Sequence, residues 1–248
     1  MLGVPLLYNK LISGIRKGIK EKGAIVSGVM SFLMGLSYII KKLTGINPGK
    51  VFFKPVLKQA NISTLRVAIC GGGPLASSVF KTYNAMGINF IQGYGLTETS
   101  PIIALNPLEK FKIESVGRSF EPYAQIKILN PDGDGIGEIA AKGPMVMKGY
   151  YKMPEETAKM FTEDGWFKTG DLGKIDSEYY VTLCGRAKNM IVTSGGKNVY
   201  PEEIEDAFQL CDDIQQIVVQ GYTTKEDETS EEIEALIYPS DSAYEALG

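Results

Sequence analysis

Gln92-Gly93-Tyr94-Gly95-Leu96-Thr97-Glu98-Thr99-Ser100-Pro101 is the stretch that decides how the rest of the chain is read. The β-type run Ile88-Asn89-Phe90-Ile91 leads straight into it. Two glycines flanking a tyrosine predict a sharp turn that presents Tyr94, Thr97 and Glu98 from a loop at a strand's end. An aromatic face can stack on a purine, a hydroxyl can bond a phosphate oxygen, and a carboxylate can hold a magnesium ion that also touches phosphates. An ordinary glycine-rich turn with solvated polar residues explains the same ten residues, and the stretch alone leaves both readings open.

Outward from that stretch, a short apolar run from Leu65 to Cys70 is followed by the loop Gly71-Gly72-Gly73-Pro74. Helical spacing then runs from Ala76 to Met86, and Gly87 suits a helix C-cap. With Ile88 to Ile91, this predicts a strand, helix, strand unit of a parallel sheet, with ligands at the strands' C-terminal ends. Gly71, Gly73 and Ala76 also fit the spacing of a dinucleotide-binding turn. Against that reading, Pro74 lacks an N–H for a pyrophosphate, and the second strand ends in Gln92-Gly93 where an acid for the ribose would be expected.

The chain has 248 residues, 44% of them apolar, enough to bury a core in a large domain with a small one beside it. A net charge of −3, with no long basic stripe, argues against a nucleic-acid partner. Cys70, Cys184 and Cys211 are odd in number and form no CxxC pair, so neither a disulfide framework nor a zinc site is expected, and a reduced, cytoplasmic chain is. The sequence contains no histidine, which removes histidine-based triads, His-ligated metals and a histidine base in one step. Chemistry must rest on carboxylates, lysine, arginine, hydroxyls and bound cations.

Leu7, Leu11, Ile15 and Ile19 recur every fourth residue with lysines between them, which predicts an amphipathic helix with Pro5 in its first turn. The almost uncharged segment 24–40 lies at the short limit of the roughly 17–25 residues that span a bilayer. Its serines and glycines dilute it, so a buried or interfacial helix is expected in place of a span, with peripheral contact at the inner face of the membrane left open. Further on, Ala124–Leu129 and Gly137–Ala141 read as strands joined by a turn through Asp132 and Asp134, whose spacing lacks the further ligands of a calcium loop. Tyr179–Cys184, Ile214–Tyr222 and Ile233–Tyr238 read as strands, and the charged stretch Lys225–Glu232 as a solvated loop.

Three blocks in order carry a family resemblance: Gly93 to Pro101, then Gly165-Trp166-Phe167-Lys168-Thr169-Gly170-Asp171, then Thr193-Ser194-Gly195-Gly196-Lys197-Asn198 through Pro201 to Glu205. The sequence resembles the adenylate-forming (AMP-binding) superfamily, in its branch of acyl-CoA synthetases and long-chain fatty acid CoA ligases. The resemblance implies an α/β fold. Residues 1–186 would be the later part of the large domain, with 1–60 helical, 61–113 the adenine-site unit and 114–186 β-rich, and 187–248 would open a small α+β domain.

It also implies roles. Gly72, Gly73 and Pro74 would lie against adenine, Tyr94 and Gly95 would contact the base, and Gly93 would border the acyl pocket. Thr97 and Glu98 would be catalytic, Thr97 on a phosphate oxygen and Glu98 on Mg2+. Asp171 and Arg186 would hold the ribose, Lys188 would be the hinge, and Gly195, Gly196 and Lys197 would face the CoA thiol. The implied ligands are ATP or AMP, Mg2+, CoA and a carboxylic acid, a fatty acid foremost. The implied reaction is acyl-CoA formation through an acyl-adenylate; loading of a carrier protein and nucleotide binding without turnover stay as alternatives. No Ser-Gly-Thr-Thr-Gly-x-Pro-Lys loop lies upstream of Tyr94, and the family's C-terminal catalytic Gly-Lys is not reached. The sequence therefore reads as the middle of a longer synthetase, with turnover by this chain alone not expected. Oligomeric state is left open.

Overall fold

The computed structural model describes residues 1–73, 75–223 and 232–246 of a mixed α/β chain. The chain packs as two units, one of residues 1–93 with 105–116, the other of residues 94–104 with 117–248.

In the first unit, strands Leu2–Gly3 and Val67–Cys70 and residues 89–92 of the strand Asn89–Gly95 pair in parallel in that order. The expected strand, helix, strand unit is present, with its helix at Ser77–Ala85 and Gly87 at φ +95° after it. Parallel strands with a crossover helix bury apolar side chains, and here the core is aromatic. Tyr8, Phe80, Tyr83 and Phe90 are each at most 1% exposed. Tyr83 stacks on Phe90 at 4.7 Å between centroids, and Tyr8 meets Phe90 edge-on at 4.8 Å, geometries that suit ring quadrupoles. The phenols are satisfied: Tyr83 donates to the Tyr8 carbonyl at 3.0 Å, and the Tyr8 hydroxyl lies 3.0 Å from the Ile69 carbonyl.

The amphipathic helix begins as expected with Pro5 at its first turn and runs Pro5–Lys20. The next helix, Ala24–Thr44, is longer than the uncharged segment suggested and ends at Gly45, φ +74°. Of the two expected settings, buried or interfacial, the helix contradicts only the buried one. Only 11% of its most apolar window is buried, and Ile25, Val29, Phe32, Leu36, Ile39 and Leu43 are exposed, Ile25 by 85%. By length and composition alone the helix could cross a membrane, its window having a mean hydropathy of 1.6. Its opposite face is inward and includes Lys41, only 7% exposed, whose ammonium donates to Asn84 and, at 3.1 Å, to Asn89.

The second unit contains a four-stranded antiparallel meander, Gln125–Leu129, Gly137–Lys142, Phe167–Ile175 and Val181–Arg186. The expected hairpin closes through Asp132, whose Oδ1 accepts from the N–H groups of Asp134 and Ile136 at 2.9 Å each; the aspartate is a turn residue. Strands Ile214–Tyr222 and Glu232–Pro239 pair antiparallel, matching the sequence. Of the charged stretch 225–232, residues 225–231 lie outside the described residues, and so does Pro74. All three cysteines are free.

Candidate nucleotide site

The decisive stretch folds differently from the expected turn. Strand Asn89–Gly95 runs through both glycines, neither of which has a positive φ, and Tyr94 is a strand residue only 7% exposed. The reversal comes later, at a single-turn 3-10 helix, Thr97–Thr99, closed by Ser100 at φ +60°. Thr99 makes that turn: fully buried, its Oγ1 accepts from Leu96 N–H at 2.9 Å and lies by the Leu96 and Pro101 carbonyls. Gly95 is glycine for a close approach, since a Cβ there would lie 1.8 Å from the Pro101 carbonyl oxygen.

Tyr94 Oη donates to Asp171 Oδ2 at 2.7 Å, and Asp171 Oδ1 pairs with Arg186 Nε at 2.8 Å. Register places the last two together, because Asp171 and Arg186 face each other across the Phe167–Ile175 and Val181–Arg186 strands. Burial pushes the Asp171 carboxyl up, while the Tyr94 bond and the Arg186 charge pull it down. Burial also pushes the Tyr94 phenol up, which keeps it a neutral donor. The backbone around Asp171 is fixed by Thr169, whose Oγ1 donates to the Ile139 carbonyl at 2.8 Å and accepts from Asp171 N–H at 3.1 Å. Gly170, at φ +73°, donates its N–H to Glu138 Oε1 at 3.1 Å.

Glu98 sits half-buried on the 3-10 turn beside exposed Thr97. Its Oε1 accepts from the Tyr150 hydroxyl at 2.9 Å, a bond that holds the phenol's pKa up. Among the described residues no three of His, Cys, Asp and Glu gather to hold a metal. A lone carboxylate fits a magnesium ion that takes its other oxygens from phosphates and water, and does not fit an ion caged by protein alone.

The structure thus brings together Tyr94, Asp171 and Arg186, and separately Glu98 with Tyr150, all in the second unit. Gly72, Gly73 and Gly93 belong to the first unit. Gly72 has φ +81°; Gly73 does not, and a Cβ there would meet Pro5 only at an ordinary 3.5 Å, so this chain's own packing does not require that glycine. Lys188 lies exposed in the 3-10 turn Ala187–Asn189. Gly195, Gly196 and Lys197 are exposed on the turn joining strands Ile191–Val192 and Asn198–Val199. A Cβ at Gly195 would meet nothing within 4 Å.

Sequence reasoning missed three contributors. Glu202 accepts from Asn189 Nδ2 at 2.9 Å and from Arg186 N–H at 3.3 Å, tying the helix Pro201–Phe208 to the segment around Lys188. Thr169 was visible only as a motif letter. Nothing near Tyr150 in sequence points to Glu98.

The AMP-binding enzyme family model matches residues 1–151. The chain is 39% identical over 165 residues to a long-chain-fatty-acid–CoA ligase, FadD15, of Mycobacterium bovis, covering 66% of this chain and 26% of the relative. It is 37% identical over 160 residues to a feruloyl-CoA synthase of an Amycolatopsis species, covering 61% and 32%. Among solved structures, ATP-bound MatB from Rhodopseudomonas palustris superposes with a TM-score of 0.63 at 32% identity, over 78% of this chain and 40% of that one. The chain therefore spans about a quarter to two-fifths of the length of these proteins. With the matched region taking in the strand, helix, strand unit and the turn that bears Glu98, the chain belongs to the family of AMP-binding enzymes.

Proposed function

We propose that this chain contributes the adenosine and metal end of an ATP-dependent acyl-CoA ligase, which joins a carboxylic acid, a fatty acid in the first instance, to CoA through an acyl-adenylate. The observation that supports it best is the Tyr94, Asp171, Arg186 chain. Tyr94 gives a flat ring whose hydroxyl is anchored, so the ring is oriented before a base arrives. Asp171 uses one lone pair of each oxygen on Tyr94 and Arg186, and an ionised carboxylate has about four. The remaining pair on each oxygen can accept the two hydroxyls of one ribose. Arg186 draws the buried carboxyl's pKa down against the larger effect of burial and adds positive charge for a phosphate.

Thr97, exposed next to Glu98, would donate its hydroxyl to a phosphate oxygen. Glu98 would hold magnesium, which supplies positive charge against the phosphates as charge develops there. Gly72 and Gly73, with Pro74, would give adenine a backbone face to approach, and Gly93 would border the acyl group. Residues 187–248 would open the small domain, turning about Lys188 so that Gly195, Gly196 and Lys197 reach the site for thiol attack. The exposed apolar face of Ala24–Thr44, with exposed Lys42 near its end, would rest on the cytoplasmic side of a membrane when the protein meets its acid.

The test is calorimetry of AMP with the 248-residue chain and its Tyr94→Ala and Asp171→Ala variants, beside AMP and pyrophosphate release with ATP, magnesium, CoA and acids from acetate to palmitate. AMP binding by the native chain that is lost in both variants is the expected result. A folded chain that ignores AMP would overturn the proposal. AMP binding with no release under any acid or thiol would reduce it to a nucleotide-binding role for this chain alone.

A further inference from the structure

One short segment holds Glu98 from two directions. Met147 N–H donates to the Glu98 carbonyl at 2.7 Å, and the Tyr150 hydroxyl donates to Glu98 Oε1 at 2.9 Å. The segment is itself braced: Tyr150 N–H donates to Thr157 Oγ1 at 2.9 Å, and that hydroxyl donates to the Met153 carbonyl at 2.8 Å. Gly149, at φ +150°, allows the fit, since a Cβ there would come within 2.7 Å of Thr157 Cγ2. The phenol is therefore carried on a backbone that cannot shift without breaking several bonds.

A glutamate on a half-exposed turn samples many rotamers and loses that freedom when it binds an ion. A fixed hydroxyl does the ordering beforehand, which favours binding. The kind of donor matters as well. Tyr150 is a neutral hydrogen-bond donor, so it fixes the carboxylate without setting a cation against it. A lysine in that place would cancel the charge. Tyr150 also occupies only one of about four lone-pair positions, leaving the others for a metal.

We propose that Tyr150 is a positioning residue for metal-nucleotide binding, its hydroxyl fixing the Glu98 carboxylate to receive the magnesium ion that accompanies ATP. The inference rests on the assignment of Glu98 as the metal carboxylate, and the experiment separates the two.

Calorimetry with the 248-residue chain would measure affinity for ATP with Mn2+, for ATP with EDTA, and for AMP with EDTA, in the native protein, Tyr150→Phe and Glu98→Gln. The metal-dependent gain should fall about tenfold in Tyr150→Phe, the effect of losing a hydrogen bond to a charged group, with AMP affinity unchanged. In Glu98→Gln the gain should vanish. A full gain in Tyr150→Phe alongside its loss in Glu98→Gln would overturn the role of Tyr150 and leave Glu98 in place. Equal weakening of AMP and Mn2+-ATP by Tyr150→Phe would overturn it too, showing a residue that only stitches the turn. A gain that survives Glu98→Gln, or is missing from the native chain, would remove the metal assignment and the inference with it.

Discussion

Tyr94 and Asp171, 77 positions apart, meet through a 2.7 Å hydrogen bond in which the phenol is the donor and a buried carboxylate the acceptor. Both residues lie in the second unit, where the bond ties the segment 94–104 to the meander. Tyr94→Phe keeps the ring and removes the donor. It should cost about 1–3 kcal/mol in urea unfolding, because Asp171 is left with a buried, less satisfied oxygen. AMP should still bind, more weakly, whereas Asp171→Ala should abolish AMP binding in calorimetry.

Gly95→Ala and Gly195→Ala should behave oppositely. At Gly95 a Cβ would lie 1.8 Å from backbone oxygen, so the strand must move and thermal melting should reveal a loss of several kcal/mol. At Gly195 a Cβ meets nothing within 4 Å, and the melting temperature should be unchanged.

Lys41 is buried, which lowers its pKa to about 8 from 10.5. Between those values the unfolded chain binds the proton more tightly than the folded one, so this residue makes stability rise as pH rises from about 8 to about 10.5. Denaturation midpoints measured at several pH values across that window should rise with pH in the native chain, and that added slope should be missing in Lys41→Met.

Asp206 gives the opposite slope at lower pH. Burial, with Glu205, Glu202 and Glu203 adding to it and Gln209 opposing, pushes its carboxyl from 3.8 to about 6. The folded chain holds this proton more tightly, so the contribution of Asp206 is complete below pH 3.8 and is lost as pH rises to about 6. Asp206→Asn should flatten that decline and stabilise the chain at pH 7 by on the order of 1 kcal/mol, read from urea midpoints at pH 4.5 and 7.

The exposed apolar helix face should make the chain adhere to membranes. Native protein is expected to sediment with anionic vesicles, and Phe32→Asp with Ile39→Asp to remain in the supernatant. Equal sedimentation of both would count against membrane contact.

Local patterns in the sequence were enough for the parallel unit, the hairpin at Asp132 and the strand pair Ile214–Tyr222 with Glu232–Pro239, because each rests on neighbours within about a dozen residues and on turn chemistry that is local. Asp171 and Arg186 were legible through motif letters, and the structure adds their partner across the register. The path of Gly93–Gly95 was misread, since two glycines look like a turn when the tertiary reason, room for the Pro101 carbonyl, is not visible. The bond from Tyr150 to Glu98 was illegible for a similar reason: the two lie 52 positions apart. The Ala24–Thr44 helix shows the limit of composition, which reports apolarity and not the side to which it faces.

The pairing of Asp171 with Arg186 is set by strand register, and a slip of one residue would send one of the two to the opposite face of the sheet. The ion pair is thus also a gauge of correct threading. A chain whose meander closes one step out of line can form most of its ladder and still lack this pair. If the pair receives a ribose as proposed, AMP would bind only the properly threaded form and draw the population towards it by mass action, as a proofreader of the sheet.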